Sequence, residues 1–187
     1  MVLKNEQYIV TISTAITPSL DGYQVIYQTD EFDMHDFYCA RLIEIKVANG
    51  SASKAAILDA TIPSTEPCAV LENNVLTILL FNVILQIDLE TTTIIRCIDC
   101  ENLGGLEQIF EINHGYLLKG ECDIFYFDKK LNQVWHFGGR DILARATGEK
   151  CFWIDNDLIH CREWEGWHYV LDMDGNVISE FQEDTIN

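Results

Sequence analysis

Short apolar runs and short polar runs alternate along this chain, and the order of these runs repeats. Short apolar runs are separated by clusters of Asn, Asp and Gly, which tolerate left-handed backbone and close tight hairpins. Three segments align on this pattern, residues 68–100, 108–141 and 151–184. Each segment predicts four β-strands joined by short turns, because none shows the long 3.6-residue apolar period of a helix.

In each segment, the third predicted strand ends in an apolar residue followed by Asp. These residues are Asp88, Asp128 and Asp172, which are about 40 and 44 residues apart. We assign them a structural role, since an Asp at a hairpin start bonds the backbone of its own turn. The period and the turn placement resemble those of β-propeller repeat proteins. The signatures of WD40 and kelch repeats do not occur.

A weaker fourth copy precedes these three. "FYCARLIEIK" would be its third strand and "KAAILDA" its last, with "EQYIVTIS" and "QVIYQTD" as the earlier strands. Lys46 takes the place of the aspartate. The predicted fold class is all-β, with four blade-like antiparallel meander repeats of about 40–44 residues and about 16 strands at most in a single domain, 1–187. The repeats would form a small or partial β-propeller, and a β-sandwich is the alternative.

The charge of the chain narrows the choice of partner. Its 187 residues include 12 basic and 30 acidic side chains, giving a formal net charge of −18. Phosphate backbones and anionic membranes require Lys and Arg, so we expect neither nucleic acid nor a membrane as partner. A strongly negative field speeds the approach of a basic protein. The alternative is that the acids only keep the protein soluble.

The cysteines and the first residues bear on location. "MVLKNEQYIVTIST" lacks the long apolar segment and the cleavage site of an export signal. Seven cysteines without export features indicate reduced thiols and therefore a cytoplasmic protein. Cys97 and Cys100 form a lone C-x-x-C, and residues three apart on a strand face opposite sides, which disfavours a metal or redox pair.

The sequence holds no motif of an enzyme or of a cofactor site. It lacks H-E-x-x-H, G-x-S-x-G and a P-loop, so we expect a protein that is not an enzyme and needs no cofactor. "DMDGN", residues 172–176, resembles the start of a calcium loop, but Glu180 stands at the wrong spacing. Glu163 and Glu165 would share one face of a strand and could serve as a carboxylate pair, which keeps an enzyme as a minor hypothesis.

Two stretches stand out as candidate binding surfaces. "CREWEGWHYVLD", residues 161–172, places aromatic and acidic side chains around a glycine, although the aromatics could simply fill space between repeats. "TDEFDMHDF", residues 29–37, predicts an acidic loop, which could equally be only solvated. From both stretches we predict acidic and aromatic partner-binding residues: Glu31, Asp33, Asp36, Glu163, Trp164, Glu165 and Trp167.

In size, charge and lack of catalytic motifs, the chain resembles bacterial immunity-type inhibitors. "VWHFGGRDI" and "WHYVLDMDGNVI" are also similar to segments of small bacterial β-repeat proteins. The resemblance implies a cytoplasmic protein that masks the basic active site of a toxin by steric and electrostatic contact. The alternative function is a carbohydrate or small-ligand binding module that uses the tryptophans. An incomplete ring would leave strand edges uncovered, which favours a homodimer.

Overall fold

The computed structural model describes residues 1–29, 39–59, 66–100, 103–112, 114–145 and 148–183. Within these residues, 17 β-strands form four sheets, which confirms the predicted all-β class. No helix in the described ranges is long and apolar enough to cross a membrane.

The first sheet departs from the predicted meander. Its five strands are β1 (Val2–Lys4), β2 (Tyr8–Ile16), β3 (Gln24–Gln28), β4 (Cys39–Val47) and β5 (Ala52–Asp59). Their order in the sheet is β1-β2-β4-β5-β3, with β3 parallel to β5. We predicted β3 as the second strand of an antiparallel meander, and this was wrong. All nine residues of β2 pair with β4, so no strand can lie between them.

The other three sheets each correspond to one predicted repeat. The second sheet contains β6 (Ala69–Glu72), β7 (Val75–Leu79), β8 (Val83–Asp88) and β9 (Thr93–Asp99). The third contains β10 (Leu106–Ile112), β11 (Gly115–Gly120), β12 (Asp123–Asp128) and β13 (Gln133–Gly138). The fourth contains β14 (Phe152–Asp155), β15 (Leu158–Arg162), β16 (Trp167–Leu171) and β17 (Val177–Gln182). The strands of each sheet follow chain order, as the repeat predicts.

The chain divides into two compact units. The first comprises residues 1–101 and 107–109, and the second comprises residues 102–106 and 110–187. In the first unit, side chains of the first and second sheets form one apolar core, for example Ile12, Ile43 and Leu85. In the second unit, the third and fourth sheets share a core that includes Leu117, Ile124, Ile159, Tyr169 and Leu171. Each core is built from alternate residues of its strands, since successive side chains point to opposite faces.

The aspartates that end the third strand of each repeat hold their hairpins. Asp128 accepts backbone N–H bonds from Lys130 and Asn132, each 2.8 Å long, and a third bond of 2.8 Å from the Asn132 side chain. Asp172 accepts the equivalent bonds in its own hairpin, and Asp88 accepts the N–H of Thr91 at 2.9 Å. These bonds stabilise the charged carboxylates and lower their pKa values. The predicted structural role is confirmed.

The "DMDGN" stretch is a hairpin pressed against the third sheet. Gly175 has a φ of 81°, and a Cβ at this position would lie 2.7 Å from the ring of Trp135. The same indole donates its N–H to the carbonyl of Met173 at 3.1 Å. Only glycine combines the left-handed backbone with this close approach at little cost. The fourth sheet is therefore fixed to the third through this hairpin.

Asp172→Ala should destabilise the protein more than Asp174→Ala, a control in the same hairpin. The Asp172 carboxylate caps the turn, whereas Asp174 is exposed and contributes its backbone N–H. Because the folded pKa of Asp172 is lowered, the extra stability is present above about pH 4 and is lost as the pH falls through that lowered pKa. Urea unfolding monitored by tryptophan fluorescence at neutral and acidic pH measures the difference. Equal midpoints for both variants at neutral pH would contradict the capping role.

Candidate functional site

A rigid turn in the fourth sheet presents the side chain of Trp164. This turn, residues 163–166, joins β15 to β16, and we call it the tryptophan turn. It closes through hydrogen bonds from the Glu163 N–H to the Trp167 carbonyl at 2.9 Å and from the Gly166 N–H to the Glu163 carbonyl at 3.0 Å. The Trp164 N–H also donates to the carbonyl of Ile142 at 3.0 Å. The indole of Trp164 is 50% exposed on this fixed backbone.

The end of β17 supports the other side of the tryptophan turn. The Gln182 side chain donates to the Glu165 carbonyl at 3.1 Å, and the Glu183 N–H donates to the Gly166 carbonyl at 2.8 Å. The side chain of Glu165 itself is exposed next to Trp164. The turn therefore offers one aromatic and one acidic side chain to solvent at positions that its backbone contacts determine.

Glu163 lies inside the protein. It is fully buried, and its carboxylate accepts the N–H of Arg140, the N–H of Asp141 at 3.2 Å and the hydroxyl of Tyr169 at 3.3 Å. Burial, with the charge of Glu163 beside it, raises the pKa of Tyr169 to about 12. A Cβ on Gly139 would collide with the same carboxylate, so the "GGRD" sequence lets the chain pass close to it. We therefore assign Glu163 a structural role and remove it from the partner surface.

The strand pattern predicted that Glu163 and Glu165 share one face. This was wrong. They flank a turn rather than continue a strand, and one carboxylate is buried while the other is exposed. Trp167 is half-buried, and the guanidinium of Arg140 lies 4.0 Å from the centre of its ring. Arg140 also pairs with Glu180 at 3.1 Å. Trp167 therefore contributes mainly to packing beside the turn.

The acidic loop of the sequence-based prediction lies outside this description. Glu31, Asp33 and Asp36 are not among the described residues. Of the seven predicted contact residues, the structure brings together three in the tryptophan turn and Trp167 directly after it. Trp164 and Glu165 are the two of these with exposed side chains.

A second cluster in the fourth sheet escaped the sequence analysis. The strand register places Trp153 beside His160, and Arg162 beside His168, which in turn lies beside Phe181. We call this side of the sheet, defined by these five residues, the histidine face. The rings of Trp153 and His160 stack at 4.8 Å, and the two histidines approach to 3.3 Å between Nδ1 and Nε2. The pair depends on the register of β15 and β16, which no local pattern reveals.

The histidine face differs in chemistry from the same side of the third sheet. Leu117 pairs with Tyr126, which is two residues before Asp128. His160 pairs with Val170, which is two residues before Asp172, so the two positions are equivalent. Leu117 is fully buried in the core shared with the fourth sheet. Ile159 and Cys161, which flank His160 on β15, also belong to that core, so the histidine face is turned away from it. A position that is apolar in one repeat thus carries an imidazole in the next.

Burial dominates the electrostatics of the histidine face. His168 is only 6% exposed, and its Nδ1 lies 3.3 Å from a carboxylate oxygen of Glu183. The same carboxylate accepts a charged bond of 2.9 Å from Arg162. Burial lowers the pKa of His168, and the positive charge of Arg162 lowers it further, while Glu183 acts in the opposite direction. His168 is therefore neutral at pH 7.

The structure gives no support for metal chemistry at the cysteines. Cys97 is exposed on β9, whereas Cys100 is buried just beyond the end of that strand, and burial raises the pKa of Cys100 to about 12. The opposite environments confirm the expectation for residues three apart on a strand. Across the described ranges, no three His, Cys, Asp or Glu side chains are grouped so that they could hold a metal ion.

Solved structures of β-propeller type are similar to this chain. The computationally designed protein Ika8 matches at 9% identity with a TM-score of 0.51, over 96% of this chain and 60% of that protein. The CNH domain of AfRom2 matches at 10% identity and a TM-score of 0.53, over 94% of this chain and 50% of that one. Raptor of Chaetomium thermophilum matches at 13% identity and a TM-score of 0.54, over 80% of this chain and 15% of that one.

At these identities the likeness shows the fold alone. The chain spans 60% of the length of Ika8 and 50% of the AfRom2 domain. No protein-family model matches the chain, and no curated protein matches it in sequence. The predicted likeness to β-propeller repeat proteins is confirmed as an architecture of blade-like sheets.

Glu163→Gln should lower the free energy of unfolding by about 1–3 kcal/mol, because a buried carboxylate that accepts three donors is replaced by an amide with only one acceptor oxygen. Glu165→Gln removes the same charge from an exposed position and should stay within about 0.5 kcal/mol of wild type. Urea unfolding at pH 7 measures both. A Glu163→Gln protein as stable as wild type would contradict the anchoring role.

His168 should make the protein less stable in mild acid. Its folded pKa lies below the usual value of about 6.5, so the unfolded chain binds the proton first. Stability is then fully present above that value and decreases as the pH falls through it. Between pH 7.5 and 5.5, His168→Gln should lose less stability than wild type, and His114→Gln, which removes an exposed imidazole, is the control. Parallel pH dependence of all three proteins would contradict this assignment.

Proposed function

We propose that this chain is a non-enzymatic binding protein that holds a basic protein partner at the tryptophan turn. The observation that carries the proposal is the half-exposed Trp164 on a turn whose backbone is fixed by hydrogen bonds to Ile142 and to the end of β17. Tryptophan is enriched among the residues that dominate binding energy in protein interfaces. A side chain that is already positioned loses less entropy when a partner binds.

The charge of the molecule supports a basic partner. Glu165 is exposed next to Trp164, and the chain carries a formal net charge of −18. Such a field raises the rate at which a cationic surface is encountered, and the effect weakens as salt screens it. Glu31, Asp33 and Asp36 belong to the proposed surface on the evidence of the sequence alone.

A concrete form of this function is a bacterial, cytoplasmic immunity-type inhibitor. Such a protein would cover the basic active site of a toxin, with Trp164 as an apolar anchor and carboxylates facing Lys and Arg. The acidic composition supports this form. The inhibition would be steric and electrostatic, so it requires no catalytic group in this chain.

The alternative of a tryptophan-based carbohydrate site has less support. The remaining tryptophans, Trp135, Trp153 and Trp167, are half-buried and engaged in ring or cation contacts within the protein. Stacking on sugars needs open aromatic faces. The enzyme hypothesis required a carboxylate with a raised pKa. Hydrogen bonds lower the pKa values of Glu44, Asp88, Asp128 and Asp172, so none of these four carboxylates supplies such a group.

Trp164→Ala should weaken binding of the basic partner by about tenfold or more, as expected for an interface hot spot. The partner is first captured from the lysate at low salt and identified, and its affinity for the purified chain is then measured by calorimetry. Val134→Ala is the control, since Val134 is a comparably exposed apolar residue on β13. Association should also slow as salt rises.

Two results would contradict the proposal. One is an unchanged affinity in the Trp164→Ala protein, which would remove the tryptophan turn from the interface. The other is an association rate that does not depend on salt, which would remove the electrostatic part of the mechanism.

A further inference from the structure

A groove in the first unit combines a useful volume with little charge. It has a volume of about 590 Å³, within the range typical of small-ligand sites. Its walls come from the hairpin between β4 and β5 and from the turn between β8 and β9, and Tyr8 on β2 lies between them. The tryptophan turn belongs to the second unit, so this groove is a separate feature.

The walls of the groove are fixed by their own hydrogen bonds. The Asn49 side chain accepts the N–H of Ser51 at 2.9 Å and its hydroxyl at 2.7 Å. Across the groove, the hydroxyls of Ser53 and Thr92 lie 3.2 Å apart. Thr92 is buried and has a φ of 56°, a left-handed backbone that is unfavourable for a β-branched residue. The groove is therefore preformed.

Tyr8 brings a polar group to the groove without a protein partner. Tyr8 lines the groove and as a residue is only 4% exposed, and its hydroxyl makes no hydrogen bond with another described residue. Burial raises the pKa of Tyr8, and the carboxylates of Glu90 and Asp88 raise it further, so the hydroxyl stands in a negative field. A hydroxyl without a protein partner is free to donate to, or accept from, a ligand in the groove.

The charge of the lining selects the class of ligand. Glu90 is the one charged residue that lines the groove, and within the described parts of the chain its carboxylate has no ion-pair partner. The other polar groups of the lining are neutral amides and hydroxyls. Val47, which is half-buried, adds apolar surface. Such a lining disfavours phosphates and carboxylates, and it suits an ammonium group on a short alkyl chain.

We propose that this groove binds a primary alkylammonium group, with Glu90 as its counter-ion and the Tyr8 hydroxyl as a hydrogen-bonding partner. The alkyl chain bearing the ammonium would lie along Val47. The ligand chemistry is shared by the lysine side chain of a protein and by a free polyamine. The site does not depend on the proposed role of the tryptophan turn.

The test is calorimetric titration of the full chain with spermidine and, separately, with the N-methylamide of Nα-acetyl-lysine. Both probes carry the ammonium, and their relative affinities distinguish a polyamine from a protein side chain. Glu90→Gln should weaken the tighter probe by about tenfold or more, since a charged hydrogen bond is lost. Tyr8→Phe removes only the hydroxyl and should weaken the same probe by about threefold or more.

Matched controls separate this site from general attraction to an acidic protein. Glu165→Gln removes the same charge from an exposed position that does not line the groove, and it should change the affinity by less than about twofold because solvent and salt screen an exposed charge. Lys46→Gln alters an adjoining groove that shares Tyr8 and Val47 with this one, and it should not weaken binding. Circular dichroism confirms that each variant is folded.

The proposal is overturned if neither probe binds, or if Glu90→Gln and Glu165→Gln weaken binding equally. If Tyr8→Phe fails to fold, the comparison of the Glu90 and Glu165 variants still decides the result. Trp164→Ala should leave spermidine binding unchanged. Loss of partner binding in that variant with intact spermidine binding would show that the two surfaces act separately.

Discussion

The buried carboxylate of Glu163 joins parts of the second unit that are distant in sequence. It accepts backbone donors from Arg140 and Asp141, where the chain leaves the third sheet, and the hydroxyl of Tyr169 on β16. A buried carboxyl group is tolerated when hydrogen bonds surround it, so each partner holds the others in place. Gly139 is required by the same contact. The exposed position of Trp164 follows from the anchoring of the residue before it.

The repeats share a backbone pattern but differ in side-chain chemistry. Asp128 and Asp172 make the same set of turn bonds in two successive hairpins. At matched positions of the strands, however, Leu117 lies in an apolar core while His160 stacks on Trp153. Turn geometry constrains the aspartates because the backbone donors must be satisfied. The side chains on the faces of the sheets can differ between repeats, because each face has different neighbours.

Similarity to β-propeller domains accounts for the arrangement of the strands. It does not indicate a function, which depends on local sites. The tryptophan turn offers an aromatic anchor and an acidic neighbour on a fixed backbone, which suits a protein surface. The groove beside Tyr8 offers a small, nearly neutral lining with one carboxylate, which suits a small cationic group. Both sites are built on turns between strands, where side chains are presented by a rigid scaffold.

The sequence by itself determined the strands, the turns and most of the repeat, because alternating hydrophobicity and Asp-rich turns act over a few residues. The crowding of aromatic and acidic residues also pointed to Trp164 and Glu165, whose side chains are exposed in the structure. Only the tertiary structure decided that β3 lies parallel to β5, that Glu163 is buried and that His160 meets His168. These features depend on strand order, register and burial, which are set by contacts between segments far apart in the chain.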